Sequence, residues 1–513
     1  MVTLWVHVAA RLSRRDRSYC DAVDPTTTRR THTGLILTVA CIAQFMVVLD
    51  VSVVNVALPT IGRDLHYSPT GLQWVVNAYV LTFAGFLLLG GRAADLFGQK
   101  RVFLVGLAIF TFASLAGGFA TSDTWLTAAR AVQGFGGAIL SPATLTIIVT
   151  TFQGPKLAKA IGMWSAVAGA GGATGALLGG ILVAELSWRW VLFINVPIGV
   201  ALAFMALTWL PEHRRLGDKP PLDVLGAVLV TAGLSTAVYG IVNTTTYAWG
   251  SARTLGTLAI AAVLLGAFAI VETRLATLPL VPFRFFLSRT ASGSNAVMFL
   301  IGGAFFSMWY FLTLFMQDVL GFSALTTGFA FLPQSVAIIV GAQISSRMMA
   351  KTGVWPIVTV GTSLATVGFV FLSYLTPSSG YALGIMLPGC AVAFALGLLF
   401  SPLAAAATST VTPSDAGLAS GILSTSRQVG GSLGLALLAT VATTHAASLL
   451  GHPLPSVRSA AYHSPAVLSA ITSGYDAAFR WSAGFTFVAL LAALLLRGVY
   501  PVRQHAPQVA TTE

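Results

Sequence analysis

Charge is what this sequence has least of. Asp, Glu, Lys and Arg make up 9% of its 513 residues, against 56% hydrophobic, and mean hydropathy is +0.83. Soluble domains carry roughly 25% charged residues, so water is not the solvent for most of this surface. Cysteine is scarce too. Cys20, Cys41 and Cys390 are scattered, with no CxxC pair and no His/Cys cluster, which argues against a disulfide framework or a metal site. No GxxxxGK[ST] phosphate loop occurs, and Gly134, Gly136 and Gly137 of "QGFGGA" lack the strand that a nucleotide fold needs. No polar segment is long enough to hydrolyse ATP, so any transport draws on an ion gradient or on the substrate's own gradient. An integral membrane enzyme would cluster His or paired acids at one face; none do, and neither enzyme chemistry nor a cofactor is expected.

What the chain has is apolar length. A spanning helix needs about 20 mostly apolar residues, and candidate runs lie at 34–58, 72–91, 102–120, 125–150, 160–183, 190–210, 222–243, 254–273, 292–316, 325–347, 355–375, 381–405, 420–447 and 477–499. That makes about fourteen by the length criterion, an all-α integral membrane protein. The net charge of +12 comes from bases in short loops. Arg92, Lys100, Arg101, Lys156, Lys159, Arg214, Arg215 and both tails load one side; the other holds Arg63, Arg189, Arg253, Arg458 and Arg480. This is the positive-inside pattern rather than a nucleic-acid surface, and it puts both termini in the cytoplasm. The start, "MVTLWVHVAARLSRRDRSY", has its apolar patch before its arginines, the reverse of a secretory signal. Residues 1–33 read as a basic cytoplasmic tail able to touch anionic lipid.

Within this apolar background one residue stands out. "VVLDVSVVNVALP", Val47 to Pro59, sets Asp50 in a run from Gly34 to Leu58 with no other charge. A charge at bilayer depth costs at least about 2.5–3.5 kcal/mol and is functional by default. Asp50 lies about 13 Å from Pro59 and Arg130 about 8 Å from Trp125, in spans running opposite ways. The two therefore reach similar depths.

Further motifs follow in order: "GRAADLFGQKR" (Gly91–Arg101), "RAVQGFGGA" (Arg130–Ala138), "GGATGALLGG" (Gly171–Gly180), "WRWVLFINVPIG" (Trp188–Gly199), "QDVLGFSALTTGFAFLP" (Gln317–Pro333) and "GLASGILSTSRQVGGSLGLA" (Gly417–Ala436). Together they resemble the major facilitator superfamily, specifically its fourteen-span drug:proton antiporter branch, over about residues 34–500. One departure is Ala176, where the branch's antiporter motif carries proline.

The resemblance implies two six-helix bundles plus two extra helices. The division would be a tail at 1–33, bundles at 34–210 and 291–499, the extra pair with linkers at 211–290, and a tail at 500–513. It implies a proton-coupled exporter of hydrophobic or amphipathic drug-like compounds in a bacterial inner membrane, working as a monomer on small molecules and protons with no nucleic acid. Asp50 would carry the proton and Arg130 tune its hold on it, since a neighbouring cation favours the ionised carboxyl and burial the neutral one. A fixed structural ion pair is the alternative. Gly91, Asp95, Gly98, Lys100 and Arg101 would form a conformational latch, their bland alternative being an ordinary basic loop. Gly171, Gly175, Gly179 and Gly180 would form the antiporter motif, although their spacing also suits helix packing alone. Asn55, Trp74, Asn77, Tyr79, Gln133, Trp309, Tyr310 and Arg427 are candidates for the substrate cavity. Glu185, Asp318 and Asp476 read as solvated outer-end acids, Asp223 and Asp415 as helix starters, and His445 as a packed histidine. Rival readings are a metabolite or siderophore exporter, an uncoupled facilitator, or a membrane sensor, the last disfavoured by tails too short for an output domain.

Overall fold

The computed structural model describes residues 33–68, 70–211, 222–276, 279–409, 411, 416–456 and 459–496; both expected tails and Asp415 lie outside the described residues. In chain order the helices are α1 Thr33–Asp64, α2 Trp74–Phe97, α3 Gln99–Gly118, α4 Asp123–Thr151, α5 Gly154–Glu185, α6 Trp190–Trp209 and α7 Val224–Asn243. They continue as α8 Ala252–Leu275, α9 Arg289–Val319, α10 Ala324–Met349, α11 Val354–Leu372, α12 Tyr381–Thr408, α13 Ala416–Leu450 and α14 Pro465–Leu496. Thirteen are long and apolar enough to cross a membrane among the described residues. α5, at 32 residues, adds one of spanning length. A bilayer offers no partners to free backbone groups, so apolar runs of this length close their hydrogen bonds within themselves as helices.

Helices α1–α6 pack on one another, as do α9–α14. The two groups meet through α2 on α13, α5 on α10, and α1 on α9. Outside them, α7 lies against α2 and α13, and α8 against α7. The share of each apolar window buried in the protein ranges from 78% for α9 to 17% for α8, so α9 is the most central and α8 the most peripheral of these spans. Small residues set the helix spacing. A Cβ on Gly134 of α4 would stand 2.2 Å from the Tyr79 carbonyl of α2, and one on Gly430 of α13 would stand 2.0 Å from the Phe299 carbonyl of α9. Any side chain there would push the pair apart.

Several boundaries differ from the expected ones. α14 starts at Pro465 rather than 477, because Thr472 is accommodated inside the helix by donating to the Leu468 carbonyl (2.8 Å). α1 continues through Pro59 to Asp64. The 190–210 run breaks at Ile194 into Trp190–Phe193 and Asn195–Trp209. The α1–α2 loop marks one end of the bundle, called here the Asp64 end, and the α2–α3 turn at Gly98 marks the other. At the Asp64 end Trp188 and Arg189 both donate to Asp64 Oδ2, at 2.8 and 2.9 Å. Tyr67 donates to the Asp123 carbonyl (2.6 Å), and burial pushes its phenol up to about 12, so it stays protonated at ordinary pH.

Candidate functional site

Asp50 and Arg130 meet. Arg130 Nη1 donates to Asp50 Oδ2 at 2.5 Å, with the two side chains 2% and 0% exposed. The opposite carboxylate oxygen, Oδ1, accepts from Gln133 Nε2 and from Asn195 Nδ2, each at 2.8 Å. Arg130 is held in turn. Its Nε donates to the Val75 carbonyl (3.2 Å), Nη1 also reaches Gln133 Oε1 (2.7 Å), and the guanidinium lies 4.4 Å from the Tyr79 ring centroid. Behind Asn195, Ser114 accepts from its amide (3.0 Å) and donates to the Leu192 carbonyl (2.8 Å).

Local sequence explains the arrangement. Arg130 and Gln133 are three residues apart and so share one face of α4. Asn195 begins the second segment of α6, and Ser114 bonds the carbonyl of Leu192 just before the Ile194 break. One carboxylate thus ties α1 to α4 and α6. Every contact on Asp50 comes from a donor, so the carboxylate only accepts.

Sequence reasoning named Asp50, Arg130, Gln133 and Tyr79, and missed Asn195 and Ser114. Asn195 had a visible signal, a lone amide in the apolar "VLFINVPIG"; Ser114 had none.

The remaining cavity candidates do not form one wall. Trp74 packs toward Leu81, Val238 and Ala436 at the junction of α2, α7 and α13. Asn77 is fully buried and accepts from Ser432 of α13 (2.9 Å), so it joins the two halves. Trp74 and Asn77, three residues apart, share one face of α2 toward α13, whereas Tyr79 turns away from it toward Arg130. Asn55 is half-buried. Trp309 packs on Phe331, with centroids 4.7 Å apart, and Tyr310 is buried with its hydroxyl unpartnered. Arg427 lies apart, against Phe400 of α12.

Two other groups of expected residues have distinct placements. In the 91–101 stretch, Gly98 takes φ 94°, a conformation that glycine favours. Lys100 Nζ donates to the Leu207 carbonyl near the end of α6 (2.8 Å), and Arg101 is exposed. Close approach to α4 is made by Gly90, whose Cβ would sit 2.3 Å from the Ala138 carbonyl, rather than by Gly91, which has room. Asp95 is in the last turn of α2; its side chain lies outside the described residues. On α5, Gly171, Gly175 and Gly179 face the carbonyls of Phe45, Leu49 and Val53 on α1, the helix of Asp50. Gly180 faces Ala324 of α10 instead.

Two of the acids expected to be solvated are not. Asp318 is 8% exposed rather than solvated, because α9 ends in a wide π-turn, Phe315–Val319, that sets it beside a cavity of about 40 Å³ lined also by Tyr310, Tyr462 and Tyr475. Asp476 is half-buried and accepts from the Leu375 amide (3.1 Å). Asp223 caps α7 by accepting from Gly226 N (2.7 Å), and His445 pairs with Ser473 (3.2 Å).

Comparison with known proteins agrees with this architecture. The family model described as Major Facilitator Superfamily matches residues 40–435. The cephamycin export protein CmcT of Amycolatopsis lactamdurans is 46% identical over 409 residues, covering 79% of this chain and 84% of the relative. The puromycin resistance protein pur8 of Streptomyces alboniger is 38% identical over 480 residues, covering 93% and 92%. Among solved structures, a bacterial homolog of the human lysosomal transporter Spinster, inward-facing and unoccupied, superposes with a TM-score of 0.62 at 18% identity over 90% of this chain and 96% of that one.

Proposed function

The chain belongs to the Major Facilitator Superfamily, and from that premise we propose that it is a proton-driven exporter of hydrophobic or amphipathic drug-like compounds. The names of two relatives, an export protein for cephamycin and a resistance protein for puromycin, support the direction and the substrate range. The protein acts as a monomer of two six-helix units, 34–210 and 291–499, with the pair at 211–290 outside them. It sits in a bacterial inner membrane with the Gly98 end and both termini in the cytoplasm, and the proton gradient powers it without a cofactor.

The observation that carries the coupling is the closed set of donors around Asp50. Its carboxylate holds α1 to α4 through Arg130 and Gln133, and to α6 through Asn195. A proton arriving at Asp50 removes the charge that those donors bind and frees α1 to move against both helices. Proton binding and helix rearrangement are thereby one event, as alternating access requires. Arg130 resists early protonation, and its departure from Asp50 permits it. The latch residues Gly91, Asp95, Gly98, Lys100 and Arg101 hold one of the two states.

The test is proton release from purified protein on adding puromycin, alongside efflux driven by a pH gradient. Asp50→Asn should reach the membrane, lose pH-driven efflux and release no proton. Arg130→Ala should keep its proton at a pH where wild type gives it up. Wild-type proton release from Asp50→Asn would leave Asp50 a structural partner, and efflux indifferent to the gradient would favour an uncoupled facilitator.

A further inference from the structure

The second half contains a positive charge that nothing in the described chain balances. Arg427 stands on α13, about 16 Å along the helix from Ala416. Its backbone is pressed against α9, where a Cβ on Gly302 would come within 2.2 Å of the Arg427 carbonyl, and Ser426 beside it donates to Asn295 Oδ1 (2.8 Å). The guanidinium carbon lies 5.5 Å from the centroid of Phe400, an exposed ring of α12. Nε is buried with no hydrogen-bond partner, yet Arg427 as a whole is only partly buried, so part of it is reachable.

Among the described residues no ion pair joins it to an acid; Asp50 is paired with Arg130, and Asp64 with Arg189. Asp123, Glu185, Asp318 and Asp476 lie toward the Asp64 end. Asp223 begins α7, and Glu272 of α8 accepts from the amides of Leu280 and Val281. Asp95 is too far away: Leu88 packs on Gly421, and from that contact Asp95 lies seven residues toward one end and Arg427 six toward the other, about 20 Å apart in depth. A lysine in such a place would shed its proton, but a guanidinium cannot. Its fork of N–H groups matches a carboxylate.

We infer that Arg427 is the anion-binding group of the transport path, and that the preferred substrates are amphipathic compounds bearing a carboxylate. The guanidinium takes the carboxylate, and the Phe400 ring offers apolar surface to the rest of the molecule. The substrate class rests on the export reading above, but binding can be measured without transport.

The experiment is calorimetric titration of the full-length protein in dodecyl maltoside with three probes of one shape: 1-naphthoate, 1-naphthamide and 1-naphthylmethylammonium. Naphthoate should bind at least tenfold more tightly than the other two. Arg427→Gln should erase that preference while leaving naphthamide unchanged. Arg427→Lys should retain it but weaken naphthoate several-fold, which decides the matter if the glutamine variant does not fold. Three equal affinities, no binding at all, or a preference that survives Arg427→Gln would overturn the inference. So would loss of the preference on adding phosphatidylglycerol, since a lipid phosphate would then be the natural partner. Absence of export with the preference intact would remove the exporter reading alone. Proton-driven export without the preference would remove this one alone.

Discussion

At Asp50 three donors converge on two oxygens, and each can be removed separately. Asn195→Ala deletes one hydrogen bond to a charged group, a loss of about 1.5–3 kcal/mol. The tie between α1 and α6 should then loosen, so pH-driven efflux should fall while membrane insertion is normal. Unchanged efflux would instead mean that Asn195 only fills space. Arg130→Lys keeps the charge but cannot reach the Val75 carbonyl, Asp50 and Gln133 together as the guanidinium does. It should behave closer to alanine than to wild type in the same assay. The acid and the base of this cluster were legible in the sequence, since a charge in an apolar run is conspicuous. Asn195 stood out as a lone amide in an apolar run but without its partner, and Ser114 did not stand out at all, because uncharged polar residues occur throughout the chain and only packing says which of them meet.

The glycines of α5 make an element-scale prediction with its own control. A methyl group on Gly175 would meet Ser52 Cβ at 2.7 Å and the Leu49 carbonyl at 3.0 Å, whereas Gly172, on the same helix, has nothing within 4 Å. Gly175→Ala should lower thermal stability by about 1–3 kcal/mol, the usual cost of overpacking, and impair export by moving α1 and its Asp50. Gly172→Ala should do neither; thermal melts of both variants in detergent make the comparison. At the α2–α3 turn, Gly98→Ala forces a side chain into φ 94°, at a cost of about 1–3 kcal/mol. Its melting temperature should fall while Gly91→Ala, where a Cβ meets only Pro142 at 3.7 Å, stays close to wild type. The sequence motif begins at Gly91, one of the expected latch residues. Its neighbour Gly90 makes the contact, because one residue along a helix turns a side chain by about 100° and a motif read without the partner helix cannot fix that angle.

Across the whole molecule, the two halves are closed on each other at the Asp64 end. Gln317 Nε2 of α9 donates to the Val56 carbonyl of α1 (2.8 Å), Gly180 of α5 abuts Ala324 of α10, and a Cβ on Gly328 would lie 2.5 Å from the Ala176 carbonyl. Ala176, where the branch's motif has proline, thus lies in this seal. Gln317→Ala should open that end more often. A cysteine placed at Ala442, in the cavity at that end, should then react faster with an external, membrane-impermeant maleimide, in a background lacking Cys20, Cys41 and Cys390. An unchanged rate would mean that glycine packing alone holds the seal. At the opposite end, Asp95→Asn should slow turnover and spare substrate binding, because a latch shifts the balance of two states without touching the pocket. Equal loss of both would mark Asp95 as a folding or substrate contact.

Apolar run length, the spacing of basic loops and the isolated charges determined that this is a helical membrane protein and about how many times it crosses, and singled out Asp50 and Arg130, which the structure brings together. Those properties are local: a bilayer imposes helix on any sufficiently long apolar segment and penalises each charge where it stands. The tertiary structure decided what depends on helix rotation and on partners distant in the chain. It gave Asp50 its amide donors from α4 and α6, turned Asn77 to Ser432, buried Asp318 and left Arg427 with no acid beside it among the described residues. Nearly all-round apolar helices carry little sign of which face turns inward, so only their packing against one another could assign those contacts.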